Sequence, residues 1–305
     1  MNENHPLLDN PLLDTGLPIA LFVIMIGIGL SLSGRDFNQL LRTPRGAVAG
    51  TVGQVVLMPL LGLALAWLLA LPPLVAAGLV IIAACPGGTT SNLIAYLARA
   101  NVALSIVLTV VASLITIVTL PVFANLALGI WPVAGVGEIR VPVLRTIALL
   151  LVLVLVPVLL GMAVRAAKPA IADAMERVVS VFGGLVLAAL IVVISVSLGD
   201  EFWEYLRSAG LPVILLNLGG LAIGFGAMVL ARTSWADRVA GAVELGIKNA
   251  TIGILIAVTV IGQPEMAVPP GVYGLLMYAS AAAVIWYGRR HARRPEHRAD
   301  EPHET

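Results

Sequence analysis

Stretches free of Asp, Glu, Lys, Arg and His recur along the chain, at residues 15–33, 46–98, 100–137, 146–164, 178–199, 208–231 and 266–288. A helix needs about 20 apolar residues to cross the hydrocarbon core of a bilayer, so the shorter stretches suit one crossing each and the longest two. Divided at charged, proline and glycine positions, the pattern predicts nine spans near 15–33, 46–70, 74–98, 102–129, 146–166, 178–199, 209–231, 238–262 and 269–288. Leu71-Pro72-Pro73 joins the second and third as a tight turn, because proline stops one helix and starts the next. Lipid offers backbone groups no water partner, so each span is a helix. The alternating segments of an outer-membrane barrel are absent. The expected class is an all-α integral membrane protein.

Composition agrees: 59 % hydrophobic, 11 % charged and a mean hydropathy of +1.01 exclude a soluble domain of ordinary usage. The net charge of +1 conceals an asymmetry that sets orientation. With the C-terminus cytoplasmic, inside segments carry Arg35, Arg42, Arg45, Arg99, Arg165, Lys168, Arg177, Arg232, Arg238, Arg289, Arg290, Arg293, Arg294 and Arg298, which are 14 of the 18 basic residues. Only Arg140, Arg145 and Arg207 fall outside, with the acidic run Asp200, Glu201, Glu204. The reading is a multi-pass protein of the inner (plasma) membrane with its N-terminus outside. Residues 1–14 form a polar extracytoplasmic N-terminus, 15–288 a nine-helix body and 289–305 a basic cytoplasmic tail that anchors topology. The acidic start lacks the positive region of a signal peptide, so the first span is expected to be retained. No basic, aromatic-interleaved surface suggests nucleic acid, and nothing assigns a protein partner. Cys85 is the single cysteine, and His5, His291, His297 and His303 lie in the tails, so no transition-metal site is expected.

Two spans are unusual. The third contains Cys85-Pro86-Gly87-Gly88-Thr89-Thr90-Ser91-Asn92. Pro86, Gly87 and Gly88 break the helical ladder in mid-membrane, since proline lacks a donor and glycine has little helix preference. A packing kink would account for the break alone. Four polar residues directly after it favour a functional one, in which the freed backbone lines a cavity and the restarting half-helix offers N–H groups to a carboxylate. The eighth span contains Glu244-Leu245-Gly246-Ile247-Lys248-Asn249-Ala250-Thr251. Glu244 and Lys248 are the ionisable residues set deep in a span, where charge is costly and marks an ion or substrate pathway. Glu then Lys at i, i+4 is also the favourable order for an intrahelical ion pair, which could be an inert, self-neutralising feature. The broken spans are third and eighth, so they cross in opposite directions, the pattern of an inverted repeat whose discontinuous helices meet at the midplane.

With these segments, Asn101-Val102-Ala103-Leu104-Ser105, and Glu244-x-Gly246-x-x-Asn249, the sequence from about 20 to 288 resembles the bile acid:sodium symporter family. The resemblance implies an inverted-repeat secondary transporter with a panel domain (spans near 15–33, 146–166 and 178–199) beside a core domain (the other six). This chain then lacks the first helix of ten-helix bacterial members. It implies one sodium site on Ser91, Asn92, Ser105, Thr109 and Glu244, whose oxygens suit a small hard cation. Ser105 and Thr109 share a helix face, although both could merely bond back to their own helix. A second family site would use Gln54 and a glutamine where this chain has Lys248. Lysine has donors and no acceptor. Its ammonium is therefore expected to fill the vacated site and satisfy Glu244 and Gln54, leaving one coupled Na+ and no organic cofactor.

Substrate contacts are placed on Thr89, Thr90, Asn249 and Thr251 at the half-helix N-termini, and on Tyr278, which could equally be a packing phenol. The implied function is alternating-access, sodium-coupled transport of a small organic anion, a pantoate-like carboxylate rather than a bile acid. A proton-coupled or cation-independent carrier, or a passive channel or sensor of the same fold, is the alternative. An intramembrane enzyme is not expected, because each Asp falls in a predicted loop or tail and no His in a span.

Overall fold

The computed structural model describes residues 15–33, 44–88, 90–132 and 140–291. Helices occupy each of the nine apolar stretches: α1 (Leu17–Ser31), α2 (Pro44–Leu68), α3 (Pro73–Ala84), α4 (Ser91–Leu97), α5 (Val102–Ile130), α6 (Val143–Ala167), α7 (Pro169–Leu198), α8 (Glu201–Leu230), α9 (Trp235–Gly246), α10 (Ala250–Ile261) and α11 (Val268–His291). Among the described residues, six helical segments are long and apolar enough to cross a membrane; α1, α3 and α10 are shorter. The third and eighth stretches are divided, α3 from α4 and α9 from α10. The N-terminal segment 1–14, the loop 34–43 with Arg35 and Arg42, and the tail beyond His291 lie outside the described residues.

Three helices start earlier than the sequence pattern predicts. α7 begins at Pro169, α8 at Glu201 and α9 at Trp235, so Asp173, Glu176, Glu201, Glu204 and Asp237, expected in loops, are helical. Charge ended the predicted spans, yet a helix runs past the apolar core into water without penalty. Acidic side chains in a first turn also complement the positive end of the helix dipole.

Prolines shape the long helices. α2 contains a π-turn at Gly53–Leu57 just before Pro59, and α6 one at Leu151–Leu155 just before Pro157. Each proline removes a donor from the ladder, which re-registers locally by one residue. In α2 this turn carries Gln54 into the interior.

Two groups of helices can be distinguished. α1 packs chiefly against α6 and α7. The approach to α6 is backbone-close: a Cβ on Gly29 would lie 2.1 Å from the Val158 carbonyl oxygen. At one end Arg165 of α6 ties all three, donating to the Leu30 carbonyl, to Asp173 (2.5 Å) and to Glu176 (3.2 Å). α2, α5, α8, α10 and α11 surround α3, whose residues from Val75 to Ala84 are all buried, and α4 and α9 pack on α5 and α11. A helix apolar on every side is a core helix, and at 12 residues it spans only about 18 Å. Small residues set the second close packing, where a Cβ on Gly224 of α8 would meet the Gly241 carbonyl oxygen of α9 at 2.1 Å.

Candidate functional site

α3 ends at Ala84 because Pro86 disfavours helix at the residue before it, and Cys85 is extended (φ −66°, ψ 151°). α9 ends at Gly246, and Ile247 is likewise extended (φ −104°, ψ 100°). The two extended pieces cross antiparallel: Gly88 N–H donates to the Ile247 carbonyl (2.8 Å) and Asn249 N–H to the Pro86 carbonyl (2.9 Å), with Gly87 facing Lys248. Groups freed by one broken helix are thus satisfied by the other, as a backbone inside a bilayer requires.

Gly87 lies directly on the Glu244 carboxylate; a Cβ there would come within 1.8 Å of Glu244 Oε1. Thr109 Oγ1 donates to Oε1 (2.7 Å) and Ser105 Oγ to Oε2 (2.9 Å). Asn92 Oδ1 stands 3.1 Å from Ser105 Oγ, and Ser91 Oγ 3.4 Å from Thr109 Oγ1. All five residues are buried. The structure therefore brings together, from α4, α5 and α9, the five residues singled out for a cation. The Ser105 and Thr109 hydroxyls each have one proton but two acceptors in reach, since Thr109 Oγ1 is also 3.0 Å from the Ser105 carbonyl. The cluster is richer in lone pairs than in protons, the chemistry of a hard-cation site.

Lys248 behaves differently from expectation. Its side chain is fully buried, and Nζ donates to the carbonyls of Cys85 (3.0 Å) and Ala83 (3.2 Å). Among the described residues it makes no hydrogen bond or ion pair to Glu244 or Gln54. The break after Gly246 removes the i, i+4 geometry and turns the side chain to the C-terminal end of α3, whose unpaired carbonyls attract a cation. Gln54 is fully buried with neither amide atom hydrogen-bonded.

Thr90, Asn249, Thr251 and Tyr278 line one narrow cleft, closed on its far side by Ile24 of α1 and Gly183-Gly184 of α7. Thr89 lies outside the described residues. Asn249 Oδ1 caps α10 by accepting from Ile252 N–H (3.3 Å), which leaves its buried Nδ2 without a partner and free to donate. A second cleft, of about 440 Å3, runs between α1, α4, α5 and α7 and is lined by Asn92, Tyr96, Asp173 and Glu176 among others.

Asn217 and Tyr273 are not among the residues that the sequence pattern singles out. Both donate to the Gly246 carbonyl at 2.8 Å, satisfying the end of α9 beside the crossing. Their signal was a polar atom in an otherwise apolar span, but many such atoms are spent on their own helix, as Ser195 is.

The sequence model of the Sodium Bile acid symporter family matches residues 18–204. The chain belongs to this family. It is therefore a membrane transporter and not an enzyme. Similar proteins include the uncharacterized sodium-dependent transporter YocS of Bacillus subtilis (31 % identical, covering 89 % of this chain and 82 % of the relative). The probable sodium/metabolite cotransporter BASS2, chloroplastic, of Oryza sativa subsp. japonica is 29 % identical over 89 % of this chain, which spans 64 % of that longer relative. The human ileal sodium/bile acid cotransporter is 27 % identical, covering 90 % of this chain and 79 % of the relative.

Proposed function

We propose that the chain couples entry of Na+ to uptake of a small organic anion by alternating access. The observation that carries this is the buried oxygen cluster on Glu244 at the crossing of two broken helices. Ser91, Asn92, Ser105, Thr109 and Glu244 hold sodium, one carboxylate against one cation. Thr90, Asn249, Thr251 and Tyr278, with Thr89, take the anion. The two sites share one short segment: Thr90 lines the cleft, and Ser91 and Asn92 reach the two hydroxyls that bond the carboxylate. Sodium orders that segment and so prepares the anion site, and the anion must favour sodium equally in return.

The narrow cleft offers water only about 30 Å3, room for two molecules or so. An organic anion fits once α1 and α7 withdraw. In this reading α1, α6 and α7 are the panel and the other helices the core of an inverted repeat. The larger cleft reaching Asn92 opens on the side of Arg99 and Arg165, the cytoplasmic side of an N-out, C-in chain in the plasma membrane, so this conformer faces inward. Proteoliposomes under an inward sodium gradient should concentrate a carboxylate first found by thermal-shift screening of small organic acids with and without NaCl; pantoate and taurocholate would be included. Equilibration without accumulation would mean a channel, and accumulation unchanged in choline chloride would sink sodium coupling.

The Lys248 ammonium favours a second statement, that coupling uses a single sodium. It is a resident cation bonded to two carbonyls at the end of α3, and the buried Gln54 amide has no hydrogen-bond partner. Lys248→Gln should raise the Hill coefficient for sodium from near 1 toward 2. An unchanged coefficient with intact transport would refute the replacement. Sodium-independent, pH-driven uptake by the wild type would instead favour a proton-coupled carrier.

A further inference from the structure

Asn101, part of the family-like segment before Ser105, uses all four of its hydrogen-bonding groups. Its N–H donates to the Ala236 carbonyl (3.1 Å), its own carbonyl accepts from Ser105 N–H (3.1 Å) and Oδ1 accepts from Leu104 N–H (3.1 Å). Its Nδ2 donates to Asp237 Oδ1 at 2.7 Å. Asp237 is buried, at 5 % exposure, and its other oxygen accepts from Ser234 N–H (3.2 Å) while Ser234 Oγ accepts from Asp237 N–H (3.2 Å), closing a capping box on α9. The first turns of α5 and α9 are therefore joined side by side.

From this joint the helix rise dictates heights. Ser105 and Thr109 are four and eight residues beyond Asn101, and Glu244 is seven beyond Asp237. At 1.5 Å per residue they stand ~6, ~12 and ~10.5 Å up their helices. The Glu244 side chain leans back toward its N-terminus, which brings the carboxylate between the two hydroxyls that bond it. A slip of one residue, ~1.5 Å, would lengthen one of these bonds beyond hydrogen-bonding range.

We propose that Asn101 and Asp237 are a positioning pair for cation binding, a register pin between α5 and α9 that places the Ser105 and Thr109 hydroxyls on the Glu244 carboxylate. The inference rests on the sodium site proposed above. It also explains why an aspartate stands at the third position of α9, where a capping box alone is served as well by glutamate or glutamine.

The test is 22Na+ binding by scintillation proximity on the purified full-length protein, with choline as the inert ion and melting temperature measured in parallel. Asn101→Asp keeps the cap on Leu104 but sets two carboxylates face to face. The half-saturating sodium concentration is expected to rise about tenfold, as for loss of one hydrogen bond to a charged group. Asp237→Asn, the gentler change, is expected to raise it about threefold by the same reasoning and stands in if the first variant does not fold. The double swap Asn101→Asp/Asp237→Asn can remake the three side-chain bonds with donor and acceptor exchanged, and should return binding to within about twofold of wild type. Ser234→Ala breaks the capping box without touching the pin; it should lower the melting temperature and leave sodium affinity alone.

A wild-type sodium response in both single variants, a swap that fails to restore binding, or a Ser234→Ala shift as large as that of Asn101→Asp each overturns the pin. Glu244→Gln run alongside separates the two readings. If it binds sodium normally, the site assignment falls and the pin with it. If it alone loses sodium, only the pin fails.

Discussion

Glu244→Gln is expected to abolish sodium binding and sodium-driven uptake while leaving a folded protein. The variant is nearly isosteric, and its neighbours can adapt. Thr109 can turn its proton to the Ser105 carbonyl, 3.0 Å away, and Ser105 to Asn92 Oδ1, 3.1 Å away, so whichever meets the new amide nitrogen can accept from it while the other still donates to the remaining oxygen. What disappears is the one negative charge of the cluster. Unit charges ~4 Å apart attract by about 4 kcal/mol at an effective dielectric near 20, so sodium affinity should fall by ~100-fold or more. A monodisperse sample with a near-normal melting temperature and no sodium-dependent stabilisation is the expected result. Retained 22Na+ binding at wild-type affinity would remove Glu244 from the site.

Gly87→Ala should destabilise the protein and disrupt the site. The new Cβ would stand 1.8 Å from Glu244 Oε1 and 2.7 Å from its Cδ, the end of a side chain that can move only by giving up its two hydrogen bonds. Either the carboxylate swings off Thr109 and Ser105, or the crossing with Lys248 opens. Overpacking costs roughly 1–3 kcal/mol and hydrogen bonds to a charged group another 1.5–3. The melting temperature should drop by roughly 5–10 °C, with sodium binding lost in whatever remains folded. Gly129→Ala, whose Cβ would meet nothing within 4 Å, is the matched control and should melt with the wild type. An unperturbed Gly87→Ala protein would contradict the packing of carboxylate on glycine.

The helices and the break in the third span were legible because their causes are local. Apolar runs of membrane length, a Pro-Gly-Gly triplet and paired prolines act on their own neighbourhood, whatever the rest of the chain does. The charged ends of α7, α8 and α9 misled for the same reason: charge marks where lipid ends and not where the helix ends. Thr90, Asn249, Thr251 and Tyr278 share a cleft, and Ser91, Asn92, Ser105, Thr109 and Glu244 one cluster, because the two helix breaks meet against α5 and α11. Asn217 and Tyr273 were missed because a lone polar atom in a span does not show whether it serves its own helix or a neighbour.

Lys248 marks the boundary most clearly. The sequence by itself determined that a buried ammonium sits one broken turn from a buried carboxylate, and that it lacks an acceptor for sodium. Whether it would pair with Glu244, fill in beside Gln54 or go elsewhere depended on where the extended piece after Gly246 points, which is set by its antiparallel contact with Cys85 to Gly88. That contact joins residues some 160 positions apart, as the Lys248 bonds to Ala83 and Cys85 do (165 and 163). Hydropathy, spacing and propensity describe a residue's own helix, so only the tertiary crossing could decide that the lysine caps α3 and leaves Glu244 to the hydroxyls.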